Sequence, residues 1–435
     1  MFLVLLSYLA FFSIALPDSM LGVAWPSMRL SFGQSLGAAG LIPPFGVAAT
    51  LVSTLLTRHA VTRLGIGRLL AISTVLSAVG LVVSAVSPTM PVFLVSVVLL
   101  GLSGGAIDVT LNAYAARHFG PRRINLMHAS YVIGAAASPA LVTLFLQVGV
   151  SWRVPYLVVA GLQLLLATVF AVGARRWEAS SQPGGSRKTH PRTVNQAQQV
   201  EQPRKTHPWA VNQAQRVERG RKTHPRTASG SAGGDPTRNW RPRTEIAAVV
   251  GIAAVVVQTG IESSVALWAY SFLTLGSGIS AGMAGAAISG FWLMMFVSRV
   301  VLGSFAERLG SWATMGAGAI GLIVAAVLTF LGGAAPGSAI AGVLVFGLAA
   351  GPMYPLLVLT TRERTTLGGL DRLVALQAAA SAVGAATLPP LFGFAMSASP
   401  SSFAPIMLAA ALTAAALHLA LRFTRARSDQ GSSPE

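Results

Sequence analysis

The residues best placed to do chemistry in this chain are three carboxylates. Of its 13 acidic residues, only Asp18, Asp108 and Glu262 fall inside long apolar stretches, with Glu245 at the mouth of one. Inserting a charge at such a position costs at least about 2.5–3.5 kcal/mol, so it faces a cavity or a partner. Desolvation also disfavours the charged form of a carboxyl, which lets such a group take up and release protons. Helical spacing gives each one a neighbour on its own face. Asp108 and Asn112 stand at i, i+4, as do Gln258 and Glu262, and Asp18, Gly22 and Trp25 stand at i, i+4, i+7. A carboxylate beside an amide, with Trp25 or Trp268 near it, suits a polyol: hydrogen bonds to hydroxyls and an aromatic face for sugar C–H groups. Tyr354 joins this set as a candidate substrate-binding hydroxyl. The competing reading is a structural, hydrogen-bonded acid near a span end. For the tryptophans it is an interfacial belt, which the following Pro26 suits at Trp25. His128 is read as a capping or packing residue at the start of its span, with a proton relay as the alternative. Arg299, near the end of the eighth span, is read as snorkelling to the surface.

The elements that hold these residues must be membrane helices. Hydrophobic residues make up 53% of the 435 and charged ones only 10%, against about 25% charged in an ordinary soluble domain. A helical span needs about 20 mostly apolar residues, and a helix satisfies its own backbone in lipid. Twelve stretches qualify, at about 2–25, 35–57, 69–87, 91–116, 125–149, 155–174, 245–273, 281–304, 312–332, 337–361, 373–396 and 402–423. The fold expected is an all-α membrane protein of twelve transmembrane helices in two pseudo-symmetric six-helix halves. The opening "MFLVLLSYLAFFSIALPDSM" lacks a basic start and a small-x-small cleavage site, so it reads as the first span, uncleaved. There are no cysteines, so disulfides and thiolate metal sites are excluded. No phosphate-cradling GxxxxGK[ST] occurs, and neither a catalytic triad nor metal-ligand spacing is visible, so no enzyme activity, cofactor or metal is expected.

The net charge of +18 would suit nucleic acid, but its placement argues otherwise. Between Arg175 and Arg243 stand 15 Lys and Arg against 4 acids. This segment contains "RKTHPRTVNQAQQVEQP" at 187–203, then "RKTHPWAVNQAQRVERG" at 204–220, then "RKTHPRTASG", a 17-residue period. Its composition cannot bury a core, so it reads as a basic, disordered linker. Metal binding by His190, His207 and His224, and contact with anionic lipid, are minor alternatives. The organisation expected is a six-helix half at 1–174, the loop at 175–243, a second half at 244–423 and a tail at 424–435. Arginines set the orientation: the even-numbered loops carry Arg58, Arg63, Arg68, Arg117, Arg122, Arg123, Arg308, Arg362, Arg364 and Arg372, whereas the odd-numbered ones offer Arg29 and Arg153. Both termini and the central loop should therefore be cytoplasmic. A reporter fused at the C-terminus and one inserted near Gly220 are both expected to read cytoplasmic, and a signal from the opposite side at either would overturn the arrangement.

The halves echo each other. "GAAG" at 37–40 matches "GMAG" at 282–285, "TRLG" at 62–65 matches "ERLG" at 307–310, and "GLSGG" at 101–105 matches "GLAAG" at 347–351. Related halves around a long loop suit a transporter whose site lies between them at mid-membrane. "GSFAERLG" at 303–310 resembles the signature loop of the major facilitator superfamily, Gly-x-x-x-Asp/Glu-Arg-x-Gly, through Gly303, Glu307, Arg308 and Gly310. The first-half copy, "RHAVTRLG" at 58–65, keeps Arg63 and Gly65 but has Arg58 for the Gly and Thr62 for the acid. "DSMLGVAWPSM" at 18–28, "GAIDVTLNAYAARHFGPRRINLMHASY" at 105–131, "GIESSVALW" at 260–268 and "FWLMMFVSRVVLGSFAERLG" at 291–310 are similar to the fucose-permease-like branch. The resemblance implies proton coupling at Asp108 and substrate contact at Asn112. It aligns the branch's first-span acid with Gly22, one turn from Asp18. Ser138–Pro139 stands where drug antiporters of the superfamily carry Gly-Pro.

The function expected is proton-coupled secondary transport of a sugar or similar small polar solute, in the cytoplasmic membrane, by a monomer with no nucleic-acid partner. Asp108, Glu262 and Asp18 would couple protons. Efflux of a drug or metabolite is the runner-up, and a non-transporting membrane sensor or scaffold a third reading.

Overall fold

A computed structural model of the chain describes residues 2–181, 242–363 and 367–425, without the side chains of 302–307 and of a few helix-end positions. The two 17-residue repeats and the tail from 426 lie outside the described residues. No strand occurs among the described residues. Twelve helices there are long and apolar enough to cross a membrane, in the order expected. Their outer faces carry large apolar side chains such as Val172 and Phe394, 88% and 86% exposed. In water such a surface would be prohibitive; against lipid it is required.

The first six spans are α1 (Phe2–Phe32), α2 (Ile42–Leu64), α3 (Ile66–Val86), α4 (Met90–His118), α5 (Pro121–Gln147) and α6 (Arg153–Ser181). A 3-10 turn, Leu36–Leu41, leads into α2. The last six begin with α7 (Pro242–Ser271), α8 (Ala281–Leu309) and α9 (Ser311–Leu331). The tenth span is broken into α10 (Pro336–Ala350) and α11 (Met353–Leu359), and α12 (Leu367–Ala398) and α13 (Phe403–Arg425) complete the set. Helices run seven residues past the expected end of the first span, through Pro26, because Pro26 is tolerated inside α1. Pro17 also sits inside α1 and cannot donate to the carbonyl of Ser13; the amide of Gln163 donates to that oxygen instead, at 3.1 Å.

The echoes between the halves have structural causes. Gly65 and Gly310 end α2 and α8 with φ of 78° and 84°. Both conformations are left-handed and favour glycine, which is why each copy of the loop ends in one. Gly101 and Gly347 let α4 and α10 lie directly on the backbones of Gly46 in α2 and Phe291 in α8. These are contacts within each half. The "GAAG" and "GMAG" pair works between the halves. Gly37 and Gly40 seat Gly393 and Pro390 of α12, whereas Gly282 and Gly285 seat Gln147 and Thr143 of α5. Two seams result, one joining the start of α2 to the end of α12, the other joining the end of α5 to the start of α8. Both lie at the end of the bundle opposite the chain termini. Gly22 of α1 completes the closure there, packed on the carbonyls of Ala266 and Leu267 in α7.

Candidate functional site

Below this closed end the halves enclose a cavity of about 730 Å³. Asp18 from α1, Asp108 from α4 and Glu262 from α7 all line it. Three acids separated by up to 244 positions in sequence thus meet in one space, drawn from both halves. Each has a neutral donor. Tyr131 of α5 donates its hydroxyl to Asp18 Oδ2 at 2.8 Å. Asn112 Nδ2 donates to Asp108 Oδ1 at 3.0 Å, and Gln258 Nε2 to Glu262 Oε1 at 3.2 Å. The i, i+4 pairs read from sequence are therefore made, and each leaves its second carboxyl oxygen for other partners. Asp18 and Asp108 interact electrostatically across the α1–α4 boundary.

Asp18 rather than Gly22 is the cavity acid of α1. At Gly22 a side chain would run into the α7 backbone. The resemblance placed an acid at that position; here the position is a helix contact, and the carboxyl enters the cavity one turn earlier.

Arg299 corrects an expectation. Read as snorkelling at a span end, it lines the cavity instead. The reason is the length of α8, which continues ten residues beyond it to Leu309. Its Nε donates to the carbonyl of Gly351 at 3.2 Å. That carbonyl stands at the break in the tenth span, and the residue four further on is Pro355, which has no N–H to offer. The arginine thus supplies a donor that a proline withholds, and is held in place by doing so. It acts electrostatically on Glu262, His128 and Tyr131. His128 lines the same wall, its ring in a T-shaped pair with that of Phe11 at a centroid distance of 5.2 Å.

The remaining candidates are not brought to the cavity wall. Trp25 and Trp268 are 0% exposed. Their indole N–H groups donate to Leu36 O at 2.6 Å and Pro389 O at 2.9 Å. Both tie helix to helix near the closed end, so in this structure neither offers a face to a solute nor sits in an interfacial belt. Gln258 is buried behind Glu262. Asn112 lies one turn beyond Asp108. Tyr354 sits just past the tenth-span break, hydrogen-bonded with Ser381. In the signature loop, Gly303 and Glu307 fall among the positions whose surroundings are not described. Arg308 and Gly310, with Arg63 and Gly65 in the other copy, stand at the two helix ends already described. Sequence reasoning missed Tyr131 as well as Arg299. Its spacing from His128, i, i+3 on the same face, was a usable signal.

A cavity between two helical halves, sealed at one end and lined by ionisable groups, can hold a solute and expose it to one side at a time. Among solved structures, the chain is similar to the nucleoside transporter NupG, at 14% identity and TM-score 0.69 over 98% of this chain and 99% of that one. It is similar to a D-xylose-proton symporter at 13% identity and TM-score 0.70, over 96% of each chain. A peptide transporter, POT, aligns at 14% identity and TM-score 0.68, over 97% of this chain and 94% of that one. At these identities what is shared is the fold. No curated protein matches the chain. The family model described as Major Facilitator Superfamily matches residues 7–367, and the chain belongs to that superfamily: it is a multi-pass membrane transporter working by alternating access, not an enzyme.

Proposed function

We propose that this protein is a proton-coupled transporter that carries a small polar solute through the central cavity, on the fucose-permease-like branch of its superfamily. The observation that carries the reading is the convergence of Asp18, Asp108 and Glu262 on one cavity lined by both halves. A fixed scaffold has no use for three insertion-costly acids. A transporter has: groups that bind protons on one side and release them on the other bias the exchange between the two access states. Residues 1–174 and 244–423 act as the two moving halves, with 175–243 as a cytoplasmic linker. The Arg63–Gly65 and Arg308–Gly310 loops are the cytoplasmic turns of each half, and the protein works as a monomer in the cytoplasmic membrane.

The test is transport by purified protein in proteoliposomes. With an inward proton gradient, a panel of labelled solutes is expected to yield at least one that accumulates, and collapsing the gradient with an ionophore should stop it. Transport that ignores the gradient for every solute carried would sink the coupling. Export of a metabolite or drug is the second reading, favoured by the apolar lining contributed by α2 and by the resemblance of Ser138–Pro139 in α5 to the Gly-Pro of drug antiporters. Solute driven outward against its gradient when protons enter would establish it.

A further inference from the structure

The cavity is chemically lopsided. Along the α2–α12 seam it is lined by Ile42, Val47 and Leu51, with Ala382 and Ala385 opposite. The polar residue there, Thr50, spends its hydroxyl on the carbonyl of Gly101 at 3.2 Å. Along the α5–α8 seam stand Tyr131, His128 and Arg299, next to the carboxyls of Asp18 and Glu262. A solute filling this space meets a largely apolar wall on one side, bordered by the Asp108 carboxyl of α4, and a charged wall with a fixed cation on the other.

The charged wall has one member that protons cannot neutralise. A guanidinium stays cationic at any physiological pH. Fixing its Nε on the Gly351 carbonyl orients Arg299 but leaves its charge uncompensated, because a carbonyl is neutral. Its electrostatic counterpart is Glu262, on the neighbouring helix of the same half. While Glu262 is ionised, the two offset each other. Once protons load the carboxyls, Arg299 is left as an isolated cation in a cavity with an apolar far wall, which is costly. The incoming solute can supply the missing charge. A cationic solute would face the opposite difficulty: it would compete with protons for the acids and sit beside an unrelieved arginine.

We infer that the transported solute is an amphipathic organic anion, with its carboxylate-type group held by Arg299 and its apolar body against the α2–α12 seam. This rests on the proton-coupled reading and narrows it: proton and anion enter together because each removes the other's electrostatic cost. Arg299 is then the specificity-determining residue, with the guanidinium's remaining N–H groups presented to an oxyanion. A neutral sugar would leave that charge unmet.

Equilibrium binding, with no gradient present, tests the solute class separately from the coupling. Purified full-length protein is screened by thermal stabilisation against benzoate, phenylacetate and hexanoate, each beside its amide and its amine, and against D-glucose. At least one carboxylate is expected to stabilise the protein and to bind about tenfold or more tightly than its amide, the difference a charge-assisted hydrogen bond supplies. Arg299→Gln should abolish that preference and Arg299→Lys should keep part of it. The carboxylate-amide comparison in the unmodified protein stands even if these variants fold poorly. Binding of no carboxylate, equal binding of carboxylate and amide, preference for an amine or for glucose, or wild-type carboxylate affinity in a folded Arg299→Gln protein would each overturn the assignment. A carboxylate preference that is indifferent to pH would instead leave the anion site standing and count against proton coupling.

Discussion

Asp108→Asn is expected to turn an accumulating transporter into an equilibrating one. A proton and an anion together carry no net charge, so the pH difference is the driving force: two pH units are worth about 2.7 kcal/mol, enough for accumulation of roughly a hundredfold. In proteoliposomes the variant should bring that ratio to near one and flatten the pH dependence of uptake, while counterflow exchange of pre-loaded solute continues. The reason is in the geometry. Asparagine matches aspartate in shape and can still meet Asn112, three ångströms away in the native pair, but it cannot titrate. Asp108 faces the cavity from the middle of α4, and no basic residue on that helix lies nearer than Arg117. An ionised, unpaired carboxylate at that depth is costly, so one stage of the cycle must protonate it. Exchange requires only that loaded forms interconvert, whereas accumulation requires that proton and solute move together. Should Asp108→Asn accumulate solute like the native protein with the same pH profile, Asp108 is structural, and the coupling passes to Glu262 first and Asp18 second.

Much of this site can be read without coordinates because lipid makes its rules strict. An acid inside an apolar stretch is conspicuous, and helical periodicity pairs Asp108 with Asn112 and Gln258 with Glu262 without reference to any other part of the chain. The twelve spans follow for the same reason. What could not be read is anything set by the distance between helices. Arg299 looks like an end residue by its position relative to the charged 307–308 pair, and only the true length of α8 carries it down to cavity level. The tenth span reads as one stretch at 337–361, and neither its break beside Gly351 nor the arginine on another helix that fills the donor gap there is legible in it. Trp25 shares a face with Asp18 in projection, yet its indole, like that of Trp268, turns to a backbone carbonyl at the closed end. Periodicity assigns a face; it does not say whether that face meets a cavity or a neighbour.

The glycine echoes give the second large effect, because the two classes of glycine contact should fail differently. A Cβ on Gly40 would lie 2.8 Å from Pro390 Cα and 3.0 Å from Pro389 O. The obstacle is backbone of the opposite half, so no rotamer change relieves it. Such overpacking costs about 1–3 kcal/mol, and here it falls on one access state alone, since the seam must open when the transporter turns over. Gly40→Val should therefore leave each half folded but shift the population by roughly tenfold or more toward the state open at the end opposite the termini. Gly101 offers the contrast, since a Cβ there meets the backbone of Gly46 within the same half. Gly101→Val should reduce the yield of folded protein with no preference between access states. The chain has no cysteines, so a single Ser263→Cys in the cavity wall can report access directly. Its labelling by an impermeant thiol reagent from the side opposite the termini is expected to rise about tenfold in Gly40→Val, with solute turnover falling in proportion to the loss of the closed state. Unchanged labelling in a well-folded Gly40→Val protein would mean that the α2–α12 seam does not open during the cycle, and that the halves separate along the α5–α8 seam alone.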